Sequence, residues 1–203
     1  MKAGRLAPLG GSLIAVLILS GSASVAGAQP HDGHSGASAT QQRKPGPQDG
    51  ALVKAVREAT EPYRNVSKAM ADGYGLLFGC VSGGDYGAMG LHFVNPARVF
   101  DNGELDLTKP EIVLYEPRPN GRVRITGADY LVIAADWDAK HSGPPELMGQ
   151  LFHLFESPNR FGLPAFYTLH VWAWKDNPFG TFTNWNPAVS CDAFTPPPPP
   201  TAQ

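Results

Sequence analysis

Between two widely separated cysteines, Cys80 and Cys191, stand four histidines: His92, His141, His153 and His170. Neutral imidazole is the commonest side-chain ligand of zinc and copper, and three imidazoles on converging strands leave a coordination position open for water or substrate. His92, His153 and His170 each fall in a run that reads as a β-strand, and they form the expected metal set. The cofactor would be a divalent transition metal, with Glu116, Asp136 or Glu156 to complete or orient its shell. No H-x-H or H-E-x-x-H motif joins these histidines, so the set depends wholly on the fold bringing them together. His31 would be third in a chain cleaved after Ala28, but Pro30 has no amide proton to give up to an N-terminal copper chelate.

Strand alternation gives His170 a second meaning. Thr168, His170, Trp172 and Trp174 share one face, while Leu169, Val171 and Ala173 make the opposite, core-like face. A polar and aromatic mixture on one side of a strand is the composition of a concave small-molecule site, and these four residues are the expected ligand-binding set. Nucleophilic catalysis has no support, since neither G-x-S-x-G nor S-x-x-K occurs. Gly83-Gly84-Asp85-Tyr86-Gly87 fits neither G-x-G-x-x-G nor a P-loop. Asp136 and Asp138 flank Trp137 but read as a solvated rim rather than a glycosidase pair.

The elements that must position these residues begin with an amphipathic helix. Leu52, Val56, Ala59, Tyr63, Val66 and Met70 recur at spacings of four and three. Pro62 predicts a kink or a restart capped by Thr60, and Gly73 a stop. The pattern then changes to short β-branched and aromatic runs, giving strands over 90–94, 111–115, 122–126, 130–135, 150–155 and 166–175. Pro119-Asn120-Gly121 predicts a hairpin turn and Pro144-Pro145-Glu146-Leu147 a helical start. The expected fold class is α+β, an N-terminal amphipathic helix packed on a curved antiparallel sheet.

The ends are of different character. Lys2 and Arg5, the apolar run 13–19 and the small residues closing at Ala28 have the order of a secretory signal peptide, too short to span a bilayer. Residues 29–50 read as a disordered linker, 51–192 as one domain, and 193–203 as a proline-rich tail. Without residues 1–28 the net charge is near −4, which offers no field for nucleic acid, and membrane insertion is not expected after cleavage. Two distant cysteines in an exported chain predict one disulfide, Cys80 to Cys191, in a periplasmic or secreted protein.

The stretches Met89-Gly90-Leu91-His92-Phe93, Leu114-Tyr115-Glu116-Pro117, His170-Val171-Trp172 and Asn186-Pro187-Ala188-Val189-Ser190-Cys191 resemble the pattern of an uncharacterised family of exported bacterial proteins with M-G-x-H-F and N-P-x-V-S-C motifs. The resemblance covers about residues 62–191 and implies export and the domain limits, with no reaction attached. Three readings of function follow: a small-ligand-binding module, a metal-dependent enzyme or metal-binding protein using the three histidines, and a structural or surface-interaction protein acting through its ends.

Overall fold

The computed structural model describes residues 47–196. The expected signal peptide, most of the linker and the last prolines lie outside the described residues.

Helix α1 (Pro47–Thr60) passes through a 3-10 turn (Glu61–Arg64) into α2 (Val66–Ala71), so residues 47–50, read as linker, form the first turn of α1. Pro62 enters at the start of the 3-10 turn, where its missing N–H leaves no hydrogen bond unmade. The restart is capped not by Thr60 but by Asn65, whose side chain accepts from the Ser67 N–H. Thr60 instead donates its hydroxyl to the Val56 carbonyl. Gly73, at φ +90°, ends α2.

The strands are β1 (Gly75–Ser82), β2 (Ala88–Val94), β3 (Ile112–Pro117), β4 (Val123–Ile133), β5 (Glu146–Leu147), β6 (Gln150–Leu151), β7 (His153–Phe155) and β8 (Phe166–Val171), with short helices α3 (Pro96–Val99) and α4 (Ala134–Asp138) between them. Six make one antiparallel sheet in the order β1-β2-β3-β4-β8-β7, and β5 pairs with β6 apart from it. The hairpin between β3 and β4 turns at Asn120 and Gly121, both at positive φ, as their sequence predicts.

Several expectations are corrected. The two strands read at 122–126 and 130–135 are one strand, β4. Gly127, which looks like a turn residue, is needed for close approach: a Cβ there would lie 2.0 Å from the Val171 carbonyl oxygen. The β3–β4 register also shifts between Leu114 and Tyr115, opposite this glycine. The expected helical start at 144–147 holds strand β5 instead, and the run 150–155 is divided between β6 and β7. Strand β1, hidden by its glycines, was not foreseen. It carries a bulge in which Phe78 and Gly79 both adopt positive φ.

Alternation splits the sheet into two apolar faces. On one, Ala128, Tyr130, Leu169 and Val171 are buried with Leu52 and Val56 of α1, and Phe93, Val113 and Tyr115 with Tyr63 and Ala69. On the other lie Val94, Ile112, Leu114, Leu131, Ile133 and Phe166. The loop after β7 crosses this second face to the far edge of the sheet. There Phe161 meets the Phe78 ring at 5.2 Å, and Arg160 donates to the Ser82 carbonyl at 3.3 and 3.4 Å. Contact between opposite edges curls the sheet into a half-barrel, concave on this face.

Cys80 and Cys191 are bonded, with Cα atoms 5.7 Å apart and 111 residues of sequence separation. The bridge ties β1 to a C-terminal segment that also pairs Asn186 with Ala88 through two backbone hydrogen bonds. Trp185 lies over Gly83, where a Cβ would stand 2.6 Å from the indole. A loop of this length is worth about 4–5 kcal/mol in the chain-entropy model. Reduction is expected to lower the melting temperature and to raise amide exchange over 183–194 before α1 is affected. Exchange that rises first in α1 would contradict this.

Candidate functional site

The concave face gathers a small polar set inside an apolar wall. Asp129 of β4 stands directly opposite His170 of β8, and Leu131 opposite Thr168, so Asp129, Thr168 and His170 emerge on one side. His92 comes onto the same face from β2, its register partner being Leu114 of β3. Phe78, Phe155, Phe161, Leu163 and Phe166 stand over them, and a cavity opens among these rings with His92, Asp129 and Thr168 at its floor. The concavity measures about 310 Å³ including its mouth. Within it the space open to the centre of a water molecule is about 20 Å³, room for about one water.

Each polar group of the floor keeps hydrogen-bonding capacity in reserve. The Thr168 hydroxyl donates to Asp129 Oδ1. Asp129 Oδ2 faces His170 Nδ1 across 4.0 Å, too far for a hydrogen bond. Burial pushes the Asp129 carboxyl up to about 7, against the lowering effect of the Thr168 bond. His92 Nδ1 lies 3.1 Å from the Gly90 carbonyl. A carbonyl only accepts, so Nδ1 carries the proton. Burial brings the ring down to about 4, which keeps it neutral near pH 7 and leaves Nε2 as a free acceptor. His170 is sealed behind the floor, 4.5 Å from the Trp172 ring centre to centre. Neither of its nitrogens has a hydrogen-bond partner among the described residues, and burial, followed by its proximity to His92, holds it well below the ordinary histidine value.

The sequence-derived sets are only partly brought together. Thr168 lines the cavity, whereas His170 and Trp172 are packed behind it and are 0% and 3% exposed. The Trp172 indole N–H donates to the Thr183 carbonyl at 2.6 Å, which makes this ring core rather than ligand wall. Trp174 is not on this face at all. Regular alternation stops at Val171, and the Trp174 indole donates to the Thr60 hydroxyl on the helix side. The metal set does not converge either. His153 lies opposite Thr168 but at the exposed rim, and among the described residues no three His, Cys, Asp or Glu side chains are placed to hold a metal ion. Of the carboxylates expected to help, Glu116 is engaged by Lys175 and Arg118 at 2.9 Å each, and Glu156 is exposed. His141 stacks on Trp137 at 3.7 Å, away from the floor.

Two buried carboxyls escaped the sequence reading. Asp129 falls in the gap between the expected strands 122–126 and 130–135, yet a lone acid within Ala128–Ile133, flanked by apolar residues on both sides, is itself a signal of a costly buried group. Glu111 is 1% exposed. It accepts the Leu131 N–H at 2.9 Å, acting in place of a backbone carbonyl just before β3 begins, and burial raises it to about 8.

These groups give stability a pH dependence of definite sign. Unfolded Asp129 and Glu111 lose their protons in the acid range, near 3.8 and 4.5, but in the fold they hold them to about 7 and about 8. Raising the pH across those intervals therefore costs stability. The buried histidines act oppositely, because the unfolded rings bind protons below about 6.5 and the folded ones do not. Their effect fades as the pH rises past 6.5, where the carboxyl effect outweighs it, so the melting temperature should decline from about pH 6.5 to 8, and Asp129→Asn should flatten part of that decline. A flat wild-type profile over this interval would refute the assignment. Trp172→Ala should cost about 3–5 kcal/mol in a denaturant melt, as for a buried aromatic.

No helix among the described residues is long and apolar enough to cross a membrane. Compared with family models, with curated proteins and with solved structures, the chain matches none, and its M-G-x-H-F and N-P-x-V-S-C motifs therefore bring no activity across from a relative.

Proposed function

We propose that this chain is an exported module that binds a small, uncharged, mostly apolar molecule on the concave face of its half-barrel, anchored by one polar group to Thr168, Asp129 and His92. A single observation carries the reading. Three nearly inaccessible polar side chains are set at the bottom of an otherwise apolar concavity, and an oxygen of Asp129 and a nitrogen of His92 remain free to bond. Buried polar groups cost free energy unless paired, so capacity left open at the end of an apolar cavity is a feature to be explained, and a ligand's polar atom explains it.

A charged ligand fits this floor less well. No lysine or arginine lines the cavity to meet an anion, and desolvating any full charge among phenylalanine rings is expensive. The N-terminal helices on the opposite face serve this reading as the backing that keeps the sheet curved. Export accords with the disulfide, which persists in oxidising compartments.

The reading is tested by thermal-shift screening of the full chain with uncharged alcohols, ketones and amides, followed by calorimetry of whatever binds. At least one compound should raise the melting temperature. Thr168→Val and His92→Phe, judged folded by circular dichroism, should each weaken its binding by about tenfold, the worth of one hydrogen bond. Compounds that bind both variants as well as wild type, or a panel in which nothing binds, would overturn it.

A further inference from the structure

The segment between β7 and β8 places a phenyl ring where a ligand's body would lie. Phe161 belongs to no strand or helix, yet its ring is the centre of an aromatic cluster. It meets Phe78 at 5.2 Å, Phe166 at 6.1 Å and Phe155 at 6.4 Å, all at steep angles. His92, on the floor, is 6.3 Å away centre to centre. Asn159 shapes the loop that presents this ring. Its side-chain oxygen accepts the N–H groups of Phe161 and Leu163, and its amide donates to the Leu163 and Glu156 carbonyls.

Apart from the Phe161 ring, what ties the loop to the opposite edge is weak by comparison with what holds the sheet. Arg160 makes long, exposed hydrogen bonds to the Ser82 carbonyl and lies over the Trp185 ring at 5.8 Å. Such contacts are worth little each, so the chief tie of the loop to the opposite edge is the Phe161 ring itself, packed on Phe78. Across from it, Phe78 holds a left-handed backbone, φ +64°. That conformation is costly for an aromatic residue, and such strain concentrates at binding sites.

We propose that Phe161 is a resident stopper, and that the site's ligand is a compound with one six-membered apolar ring and one hydroxyl, which takes the place of the Phe161 phenyl and sets its oxygen on the floor. The inference rests on the concave-face binding reading above and adds to it the shape of the ligand and the residue it displaces. Size is set by the ring already there. Polarity is set by the gap to His92, which one oxygen hydrogen-bonded at about 2.8 Å can bridge. That hydroxyl can donate to Asp129 Oδ2, to His92 Nε2 or to the oxygen of Thr168, whose own proton is held by Asp129 Oδ1, whereas a ring without it leaves the floor as it was.

Phenol, toluene and benzoate are the probes, titrated at pH 7 by calorimetry into the wild-type full chain and into Phe161→Ala and Arg160→Ala. Phenol should bind wild type and should bind Phe161→Ala about tenfold or more tightly, since it no longer has to displace a ring. Arg160→Ala, which keeps the phenyl but frees the loop, should give a smaller gain and serves if Phe161→Ala does not fold. Toluene should bind Phe161→Ala about tenfold more weakly than phenol, and benzoate should not compete. Toluene binding as well as phenol would mean that removal of Phe161 merely leaves an apolar hole, and would overturn the proposal. So would unchanged phenol affinity in both variants. Should screened ligands depend on Thr168 and His92 but not respond to Phe161→Ala, the stopper fails and the binding site stands; should phenol ignore Thr168→Val and His92→Phe, the floor itself fails.

Discussion

The register of β4 against β8 is the constraint from which the concave face follows. Pairing Asp129 with His170 and Leu131 with Thr168 puts three polar side chains and the apolar ladder of Leu131, Ile133 and Phe166 on the same side. A slip of one residue would exchange them for Ala128, Tyr130 and Leu169, which fill the helix side. Two devices hold β4 in place, one towards each neighbour. Gly127 lets the Val171 carbonyl approach where no side chain would fit, and Glu111 supplies a carboxyl oxygen to the Leu131 N–H in place of a neighbouring strand's carbonyl.

With that register fixed, the molecule carries a buried acid, two buried imidazoles and a hydroxyl in a region that could have been wholly aliphatic. Only the bond from Thr168 to Asp129 and that from His92 to Gly90 offset the desolvation of this group. Stability therefore has to come from elsewhere: the apolar contacts of α1 and α2 with the opposite face, the long-loop disulfide, and asparagine-built turns such as Asn177 and Asn186. The polar-floored cavity and the scaffold are on opposite sides of one sheet.

How much of this was legible in the residues depended on whether the signal was periodic. The helical stretch, the turn at Asn120-Gly121, the cysteine pair and the core face of Leu169, Val171 and Ala173 follow directly from spacing and composition. The face opposite those three is expected to be open and is instead covered at His170 and Trp172, because alternation gives the side on which they emerge but not what closes over them. Trp174 was misplaced because the strand ends three residues earlier than its apolar run. Asp129 is missed for a related reason: it falls in the gap between two expected strands, and that Gly127 joins them appears only when the Val171 carbonyl is brought to 2.0 Å of its missing Cβ. Phe161 gave no periodic signal, since its role comes from a loop crossing between sheet edges.

The bulge at Phe78 and Gly79 also bears on how these molecules behave in each other's company. Strand β1 is one border of the sheet, and a flat border with free amides and carbonyls invites a strand from another chain to add to it. Two successive left-handed residues interrupt that ladder halfway along, and a disulfide anchors the strand immediately after the interruption. The other border, β7, is only three residues long, His153–Phe155. Among the described residues, a half-barrel that never closes its circle thus has neither of its two borders smooth or long enough to template polymerisation.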